Sequence, residues 1–255
     1  MLLALDIGNT NTVIGLHNGT SYEKHFRVQS VPEKMPDEYV LTFLGLFREH
    51  GIDPKSISRV VVASVVPALT DTMREAIGHV SSAPVLVVTP YVSLNVTIDT
   101  PHPEEVGADL IANACAAFER FGKNCIIVDF GTALTFVAVT STGRFLGAAF
   151  APGLNTAMRS LSGGTAQLPQ VSLEPPPKVI GENTVHALQS GIVVGYSGLA
   201  EKLISEMDAE LGGGSAVIAT GGLSGALSRR IARIEEVDPW LTLSGLKLIA
   251  DMNDG

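Results

Sequence analysis

Residues 3–12 read LALDIGNTNT, and residues 126–135 read IIVDFGTALT. Each stretch is an apolar run, followed by Asp-x-Gly with a threonine close behind, followed by a second run of β-forming residues. The apolar runs predict buried strands, and the glycine predicts a tight turn between two paired strands. Because the same unit occurs in both halves of the chain, the sequence predicts an internal duplication.

The residue types in these turns indicate nucleotide chemistry. An Asp at the end of a strand offers a carboxylate to a cation, and the following turn offers backbone N–H groups and hydroxyls to phosphate oxygens. The polar run Asn9–Thr12 forms core strands poorly, so we expect it to face phosphate oxygens, with Asp6 acting through Mg²⁺. A plain hairpin is the alternative interpretation. Two such turns facing each other would hold one nucleotide, which favours a phosphoryl-transfer enzyme.

Composition narrows the class of protein. The 255 residues are 45% hydrophobic and 17% charged, so the chain can bury a core, and its net charge is −9. No cluster of Lys or Arg predicts a nucleic-acid partner. Cys115 and Cys125 lack metal-binding spacing and predict reduced thiols. The first residues lack a signal peptide's basic region, and no run is apolar enough to cross a membrane, so we expect a cytoplasmic protein.

Strand and helix patterns alternate and predict a layered α/β fold. Strands are expected at residues 2–7, 11–17, 21–29, 59–64, 85–88, 125–130, 133–140, 144–150 and 216–220. Helices are expected from Asp37 to about Glu49, from Thr70 or Asp71, from about Glu105 to Phe121, from Asn183 or Thr184 to about Leu211, and from about Ser244. A proline-rich surface loop is expected at residues 168–178. The order β-turn-β-β-α-β-α occurs twice, which predicts domains 1–117 and 118–255.

Two further motifs carry chemistry. The glycine pair in Thr220-Gly221-Gly222-Leu223 allows close approach to a flat ligand such as adenine, although a simple strand-to-helix turn is the alternative. Asp109, in Gly107-Ala108-Asp109, lies near a predicted helix N-terminus, where a carboxylate is electrostatically favoured. In a cleft beside a nucleotide it would instead accept a proton from a substrate hydroxyl. No Gly-x-x-x-x-Gly-Lys-Ser/Thr loop is present, which excludes a P-loop enzyme.

Together these motifs resemble one family, the type III pantothenate kinases, over nearly the whole chain. The residues that carry the resemblance are Asp6–Asn11, Ser64–Pro67, Glu105–Asp109, Asp129–Thr132, Pro152–Leu154, Gly181–Thr184 and Thr220–Leu223. The resemblance implies an α/β fold of the actin-like and sugar-kinase superfamily, with two ribonuclease H-like domains and the nucleotide in the cleft between them.

The resemblance also implies an activity and its site. The activity is the ATP-dependent phosphorylation of pantothenate, the first step of coenzyme A biosynthesis, by a homodimer. Asp109 would accept the proton, Asp129 would bind a monovalent cation (K⁺ or NH₄⁺), and Asp6 would act on Mg²⁺. The residues implied to contact ATP are Asp6, Ile7, Gly8, Asn9, Thr10, Asn11, Thr12, Val13, Thr132, Gly221 and Gly222. Those implied to line the pantothenate site are Thr100, Gly107, Ala108, Asp109, Leu110 and, from the second subunit, Thr184.

Two residues depart from the family pattern in that pocket. The family has an arginine where this chain has Leu110, and usually an aromatic residue where it has Thr100. Losing the arginine removes a donor suited to a carboxylate. A kinase for another small alcohol, and a weak or inactive nucleotide-binding homologue with a regulatory role, are therefore alternative interpretations. A second rival is an actin-like ATPase that uses the nucleotide to switch conformation, against which the short chain counts.

Overall fold

The computed structural model describes residues 1–163 and 171–254. The chain forms two compact units. Unit 1 comprises Met1–Asn95, Pro101–Ala116 and Thr242–Gly255, and unit 2 comprises Val96–Thr100 and Ala117–Leu241. Within the described ranges, no helix has both the length and the apolar character needed to cross a bilayer.

The sheet of unit 1 has the strand order β3-β2-β1-β4-β5. Strand β1 (Leu2–Ile7) lies in the centre, between the antiparallel β2 (Asn11–His17) and the parallel β4 (Arg59–Ser64). Strands β3 (Tyr22–Gln29) and β5 (Val85–Val87) form the edges. Because β1 is central and covered on both faces, its residues before Asp6 are apolar without alternation.

Helices cover this sheet on both faces. The α-helices of the chain are α1 (Pro36–Glu49), α2 (Pro67–Val80), α3 (Ala108–Phe121), α4 (Leu154–Gly163), α5 (Thr184–Gln189), α6 (Gly195–Glu210), α7 (Ser224–Leu227) and α8 (Leu241–Met252). On one face of the sheet, Leu5 and Ile14 pack with Phe43 of α1 and Met73 of α2 in a single buried cluster.

Helices α8 and α3 lie on the opposite face. A Cβ atom built on Gly15 of β2 would lie 2.9 Å from the Cδ1 atom of Leu243 in α8. A Cβ atom built on Gly245 of α8 would overlap the carbonyl oxygen of Ala112 in α3. Because side chains alternate along a strand, Asp6 points to this face, away from α1 and α2.

The sheet of unit 2 repeats the first with one added strand. Its order is β11-β10-β7-β8-β9-β6. Its strands are β6 (Thr97–Ile98), β7 (Cys125–Phe130), β8 (Ala133–Val139), β9 (Arg144–Pro152), β10 (Ala216–Thr220) and β11 (Glu236–Val237). The order β9-β8-β7-β10-β11 and the strand directions match β3-β2-β1-β4-β5, and β6 is added beside β9. The predicted duplication is therefore confirmed.

The pattern of buried and exposed residues is also repeated between the two units. Strands β1 and β7 have the same pattern, in which every residue is buried except the half-buried Asp at the fifth position. The patterns of β2 and β8 are also identical. Asp6 and Asp129 therefore occupy equivalent places in two equivalent sheets.

One hydrophobic core cluster of unit 2 lies on one face of its sheet. Val128 of β7 and Phe136 of β8 pack there with Ile192 and with Ala200 and Ile204 of α6. Asp129 alternates with Val128, so its side chain points to the opposite face of the sheet.

Strand bounds agree with the prediction within two residues, whereas helix starts differ more. Helix α1 begins before Asp37: the backbone N–H of Met35 donates to the Glu38 carboxylate at 2.9 Å, so Asp37 lies in the first turn and is not the cap. Helix α2 begins at Pro67, earlier than predicted, because proline suits the first helical position.

The later helices differ for local reasons. Helix α3 begins at Ala108 and not at Glu105, since Glu105 belongs to a separate 3-10 turn. The long helix predicted to end near Leu211 has the right span, but a π-helical segment at Ser190–Val194 separates α5 from α6. Of the predicted loop, residues 168–170 lie outside the described residues, and residues 171–178 form neither helix nor strand. Helix α8 begins three residues before the predicted start.

We predict that Gly245→Ala destabilises the protein because the added methyl group would overlap backbone atoms of Ala112. We expect a loss near the upper end of the range of about 1–3 kcal/mol for overpacking, measured by denaturant unfolding. Gly78→Ala is the matched control: Gly78 is exposed in α2 with no atom near an added Cβ. This control should gain about 0.5–1 kcal/mol. If both substitutions changed the free energy of unfolding by the same amount, the close packing of α8 on α3 would be contradicted.

Candidate active site

The segment that joins β1 to β2 lies at one end of the sheet of unit 1. We call it the Asp6 turn, and it comprises residues 6–12. Asp6 is half-buried, and Asn9, Thr10 and Asn11 are exposed. The turn closes with a hydrogen bond of 3.1 Å from the backbone N–H of Gly8 to the carbonyl oxygen of Asn11. The polar side chains of the turn are thus presented to solvent beside a carboxylate.

Ser30 fixes this turn from the neighbouring strand. Its backbone N–H donates to the carbonyl oxygen of Thr10 at 3.0 Å, and its hydroxyl shares a hydrogen bond of 2.9 Å with the hydroxyl of Thr12. Thr12 is completely buried, and Val13 is half-buried. The side chain of Thr12 therefore points into unit 1, while those of residues 9–11 point outward.

The loop after β4 lies beside the Asp6 turn. The backbone N–H of Val65 donates to the carbonyl oxygen of Ile7 at 3.1 Å. The hydroxyl of Ser64 accepts hydrogen bonds from the backbone N–H of Val66 at 3.2 Å and from the hydroxyl of Thr70 at 2.7 Å. These bonds hold the loop in one conformation between β4 and α2.

Asp109 is the second residue of α3, and the start of this helix lies near the loop that follows β4. A Cβ atom built on Gly107 would lie 2.6 Å from Oδ1 of Asp109 and 3.3 Å from Cγ1 of Val65. The backbone N–H of Leu110 donates to Oδ1 of Asp109 at 2.8 Å. The contacts of Val65 therefore link the Asp6 turn to the Gly107–Asp109 segment within unit 1.

The environment of Asp109 acts on its proton affinity in two opposing ways. Burial raises the pKa of the Asp109 carboxyl group above its ordinary value, and the backbone N–H groups of Leu110 and of Asp109 itself oppose this rise. Burial is the larger effect. A carboxylate with a raised pKa is a stronger base than one in water, which suits proton acceptance.

In unit 2, the Asp129 turn is packed closely against a glycine that follows β10. Gly221 has a φ of 89°, and a Cβ atom built on it would overlap Oδ1 of Asp129 and lie 2.8 Å from backbone atoms of Phe130. The backbone N–H of Leu223 donates to the carbonyl oxygen of Phe130 at 3.3 Å. The Asp129 carboxylate thus lies against the Gly221 backbone, and Gly222 is exposed next to it.

A third segment of unit 2 closes on the same turn. The backbone N–H of Gly153 donates to the carbonyl oxygen of Thr132 at 3.1 Å, and a Cβ atom on Gly153 would overlap the carbonyl oxygens of Gly131 and Thr132. The hydroxyl of Thr156 in α4 donates to the same Thr132 oxygen at 2.9 Å. Thr132 itself is exposed.

The remaining residues predicted for the acceptor site differ in their surroundings. Ala108 and Leu110 are buried in unit 1. In unit 2, the hydroxyl oxygen of Thr100 is buried and has no hydrogen-bond partner among the described residues. Thr184 is exposed at the first position of α5, where the Asn183 side chain caps the helix by accepting the His186 N–H at 2.9 Å.

Across residues 1–163 and 171–254, no group of three or more His, Cys, Asp or Glu side chains is arranged to hold a metal ion. Mg²⁺ in phosphoryl-transfer enzymes usually takes one or two carboxylates and completes its shell with phosphate oxygens and water. The single half-buried carboxylate of Asp6 beside an exposed polar turn fits that mode of binding.

Ser30, Val65 and Gly153 contact the two turns. Val65 and Gly153 lie in segments that carry the family resemblance, but the sequence did not predict their contacts with the turns, and nothing in the sequence distinguishes Ser30. Gly153 had the clearest signal, since a glycine directly after a strand often marks close approach of another backbone segment. Ser30 and Val65 give no such local signal, and only the structure shows their contacts with distant parts of the chain.

Solved structures share this fold. MreB5 of Spiroplasma citri bound to AMPPNP matches with a TM-score of 0.57 and 11% identity, covering 98% of this chain and 96% of that chain. The ROK hexokinase from Thermus thermophilus matches with a TM-score of 0.51 and 14% identity, covering 100% and 99%. At these identities the likeness concerns the fold alone, and it confirms the predicted α/β fold with two related sheets.

Sequence relatives are much closer. The family model described as type III pantothenate kinase matches residues 2–206. A type III pantothenate kinase from Moorella thermoacetica is 45% identical over 99% of this chain and 100% of its own length. That of Anaeromyxobacter sp. is 43% identical over 99% and 100%, and that of Myxococcus xanthus is 42% identical over 99% of each. The chain therefore belongs to the type III pantothenate kinase family and is a phosphotransferase.

Proposed function

We propose that this protein transfers the γ-phosphoryl group of ATP to the hydroxyl group of pantothenate, the first step of coenzyme A biosynthesis. The observation that carries the proposal is the position of Val65. Its backbone N–H donates to Ile7 at the end of β1, and its Cγ1 atom would lie 3.3 Å from a Cβ atom built on Gly107, beside Asp109. A proton-accepting carboxylate must lie close to the groups that hold the phosphates. Membership of the family supports the same activity.

The Asp6 turn suits the triphosphate and Mg²⁺. The exposed residues Asn9–Asn11 offer amide and hydroxyl groups to phosphate oxygens, and the Asp6 carboxylate would hold Mg²⁺ directly or through water. Bound Mg²⁺ neutralises charge on phosphate oxygens. The Thr12 hydroxyl is engaged with Ser30, so we propose that its part is to hold the turn in shape.

We propose Asp129 as a ligand of a monovalent cation, K⁺ or NH₄⁺. Its carboxylate lies against the Gly221 backbone, which carries no side chain of its own. We propose that Thr132, Gly221 and Gly222 contact ATP. A cation at Asp129 would supply positive charge near the nucleotide without a lysine or arginine side chain.

Asp109 is proposed as the general base. Its raised pKa makes it a better proton acceptor than an ordinary aspartate, and the helix N-terminus keeps its ionised form accessible. We propose that Gly107 and Ala108 line the acceptor site beside it. We propose that Thr100 also contacts the acceptor, as the family resemblance implies.

A second candidate is the phosphorylation of another small alcohol. The observation that favours it is Leu110, which is 6% exposed and places an apolar side chain where the family has an arginine. An acceptor without a carboxylate would not need that arginine. The two candidates share the same nucleotide chemistry and differ only in the acceptor.

We also propose a homodimer formed through unit 2, in which Thr184 would reach the acceptor site of the second subunit. Along β9, Ala149 and Ala151 pack towards the core, whereas Phe150 alternates with them and is 66% exposed. Leu146, where the register of β9 shifts, is 41% exposed. A second copy of the chain would cover these apolar side chains. Location in the cytoplasm stays a prediction from the sequence.

The kinase proposal is tested with purified protein, ATP, Mg²⁺ and pantothenate, with and without K⁺. We expect ADP release and phosphopantothenate, identified by mass spectrometry. Asp109→Asn should lower kcat about 10²–10⁴-fold because the proton acceptor is lost. In the wild type, activity should fall as the pH drops through the raised pKa of Asp109.

The matched control is Asp37→Asn, which also removes a carboxylate from the first turn of a helix but lies exposed in α1. It should keep wild-type activity. Full activity of Asp109→Asn would overturn the assigned base. Turnover with a different alcohol and none with pantothenate would establish the second candidate.

We further predict that Asp109→Asn stabilises the protein at about pH 7, where an ordinary Asp is ionised. The pKa of Asp109 is higher in the folded protein than in the unfolded chain, so ionisation of this group lowers the free energy of unfolding. This loss begins as the pH rises past the pKa in the unfolded chain and grows until the pH exceeds the pKa in the folded protein. The neutral amide removes that cost, so its Tm advantage should vanish below about pH 4. Asp37→Asn should instead lose a few tenths of a kcal/mol, about the value of a helix-dipole interaction. If Asp109→Asn and Asp37→Asn lost the same amount of stability, burial would not be what raises the pKa of Asp109.

For the dimer, we predict that Phe150→Lys shifts the molar mass in light scattering from twice 26.7 kDa to that of one chain. A charged side chain in an apolar interface is costly to desolvate. Leu41→Lys is the control, since Leu41 is 71% exposed in α1 of unit 1. A dimer that persists in Phe150→Lys, or a monomeric wild type, would refute the proposed interface.

A further inference from the structure

Val65 stands between the two functional segments of unit 1 and does no chemistry itself. Its backbone N–H is bonded to the carbonyl oxygen of Ile7 at 3.1 Å, so its position is set by the Asp6 turn. The hydrogen bonds of Ser64 with Val66 and Thr70 fix the loop on the other side. The backbone of Val65 therefore has little freedom to move relative to the turn.

The side chain of Val65 meets Gly107 on the side where the Asp109 carboxylate lies. The space that a Gly107 side chain would fill is bordered at 2.6 Å by Oδ1 of Asp109 and at 3.3 Å by Cγ1 of Val65. A larger residue at 107 would displace one of these two neighbours. The valine methyl group thus borders the same space as the carboxylate.

We propose that Val65 is a positioning residue that holds the Gly107–Asp109 segment, and with it the Asp109 carboxylate, at a fixed place relative to the Asp6 turn. The inference rests on the proposed role of Asp109 as the base. A misplacement of about 1 Å can cost an enzyme about a hundredfold in rate, so packing at this contact affects turnover.

The first test does not need activity. The pKa of Asp109 in the ligand-free protein is measured from its side-chain carboxyl ¹³C resonance, assigned by its loss in Asp109→Asn. Val65→Ala removes the methyl groups, admits water and should lower this pKa, because burial is what raises it. The groups that act on this carboxyl are its buried surroundings and the N–H groups of Leu110 and Asp109.

Val66→Ala is the matched control. It deletes the same two methyl groups from the next residue, whose side chain packs partly buried against the α1–α2 core cluster. We expect Val66→Ala to cost stability and to leave the pKa of Asp109 unchanged. If Val65→Ala does not fold, Val65→Thr replaces it: the volume is kept, and the hydroxyl should likewise lower the pKa.

The second test is kinetic, in the assay with ATP and pantothenate. Val65→Ala should lower kcat about ten- to a hundredfold, shift the acid limb of the pH profile to lower pH, and change KM for ATP little. Val65→Ile, which keeps a branched side chain at the contact, should restore most of kcat. Val66→Ala should keep the wild-type profile.

The outcomes separate this inference from the proposed function. A wild type without kinase activity refutes the proposed function, and the carboxyl measurement still tests whether Val65 keeps the Asp109 carboxylate buried. An active wild type in which Val65→Ala and Val66→Ala behave alike, in the pKa of Asp109 and in kcat, refutes the positioning role.

Discussion

The site depends on one constraint, which is that a carboxylate must end a strand that is buried on both faces. An ionised group inside such a strand would be costly, so it is tolerated only where the chain is about to leave the sheet. Asp6 and Asp129 hold that place in the two sheets, each half-buried at the fifth position of its central strand. Alternation then turns each side chain away from the packed helices that cover the other face.

Glycine residues allow the chain to pack closely around the carboxylates of the site. Gly221 and Gly153 let two separate backbone segments approach the Asp129 turn, where a Cβ atom would overlap existing atoms. Gly107 leaves the space in which the Asp109 carboxylate lies. Each glycine therefore brings rigid backbone close to a polar group. Rigid surroundings suit phosphoryl transfer, where positioning supplies most of the catalysis.

Much of this arrangement was predictable because its causes are local. The strands and glycine turns follow from apolar runs next to polar residues, and the repeat of the pattern gave the two matching sheets. The predicted start of α2 at Thr70 or Asp71 is too late because Pro67 occupies the first helical position. The surroundings of Thr12 and Val65 were not predictable, since their partners lie on other strands and loops. The role of Asp109 came from family resemblance, because an Asp in the first turn of a helix is common.

Asp109 experiences two opposing influences, and their balance bears on its proposed task. The N-terminus of α3 favours the ionised carboxylate, and so does the Leu110 N–H that it accepts. Burial favours the neutral acid and is the larger effect on the pKa. A carboxylate held only by the helix would be a weak base, and one buried without hydrogen bonds would stay protonated. The combination keeps the group ionisable yet basic, and the proposed role of Val65 is to preserve the burial half of that balance.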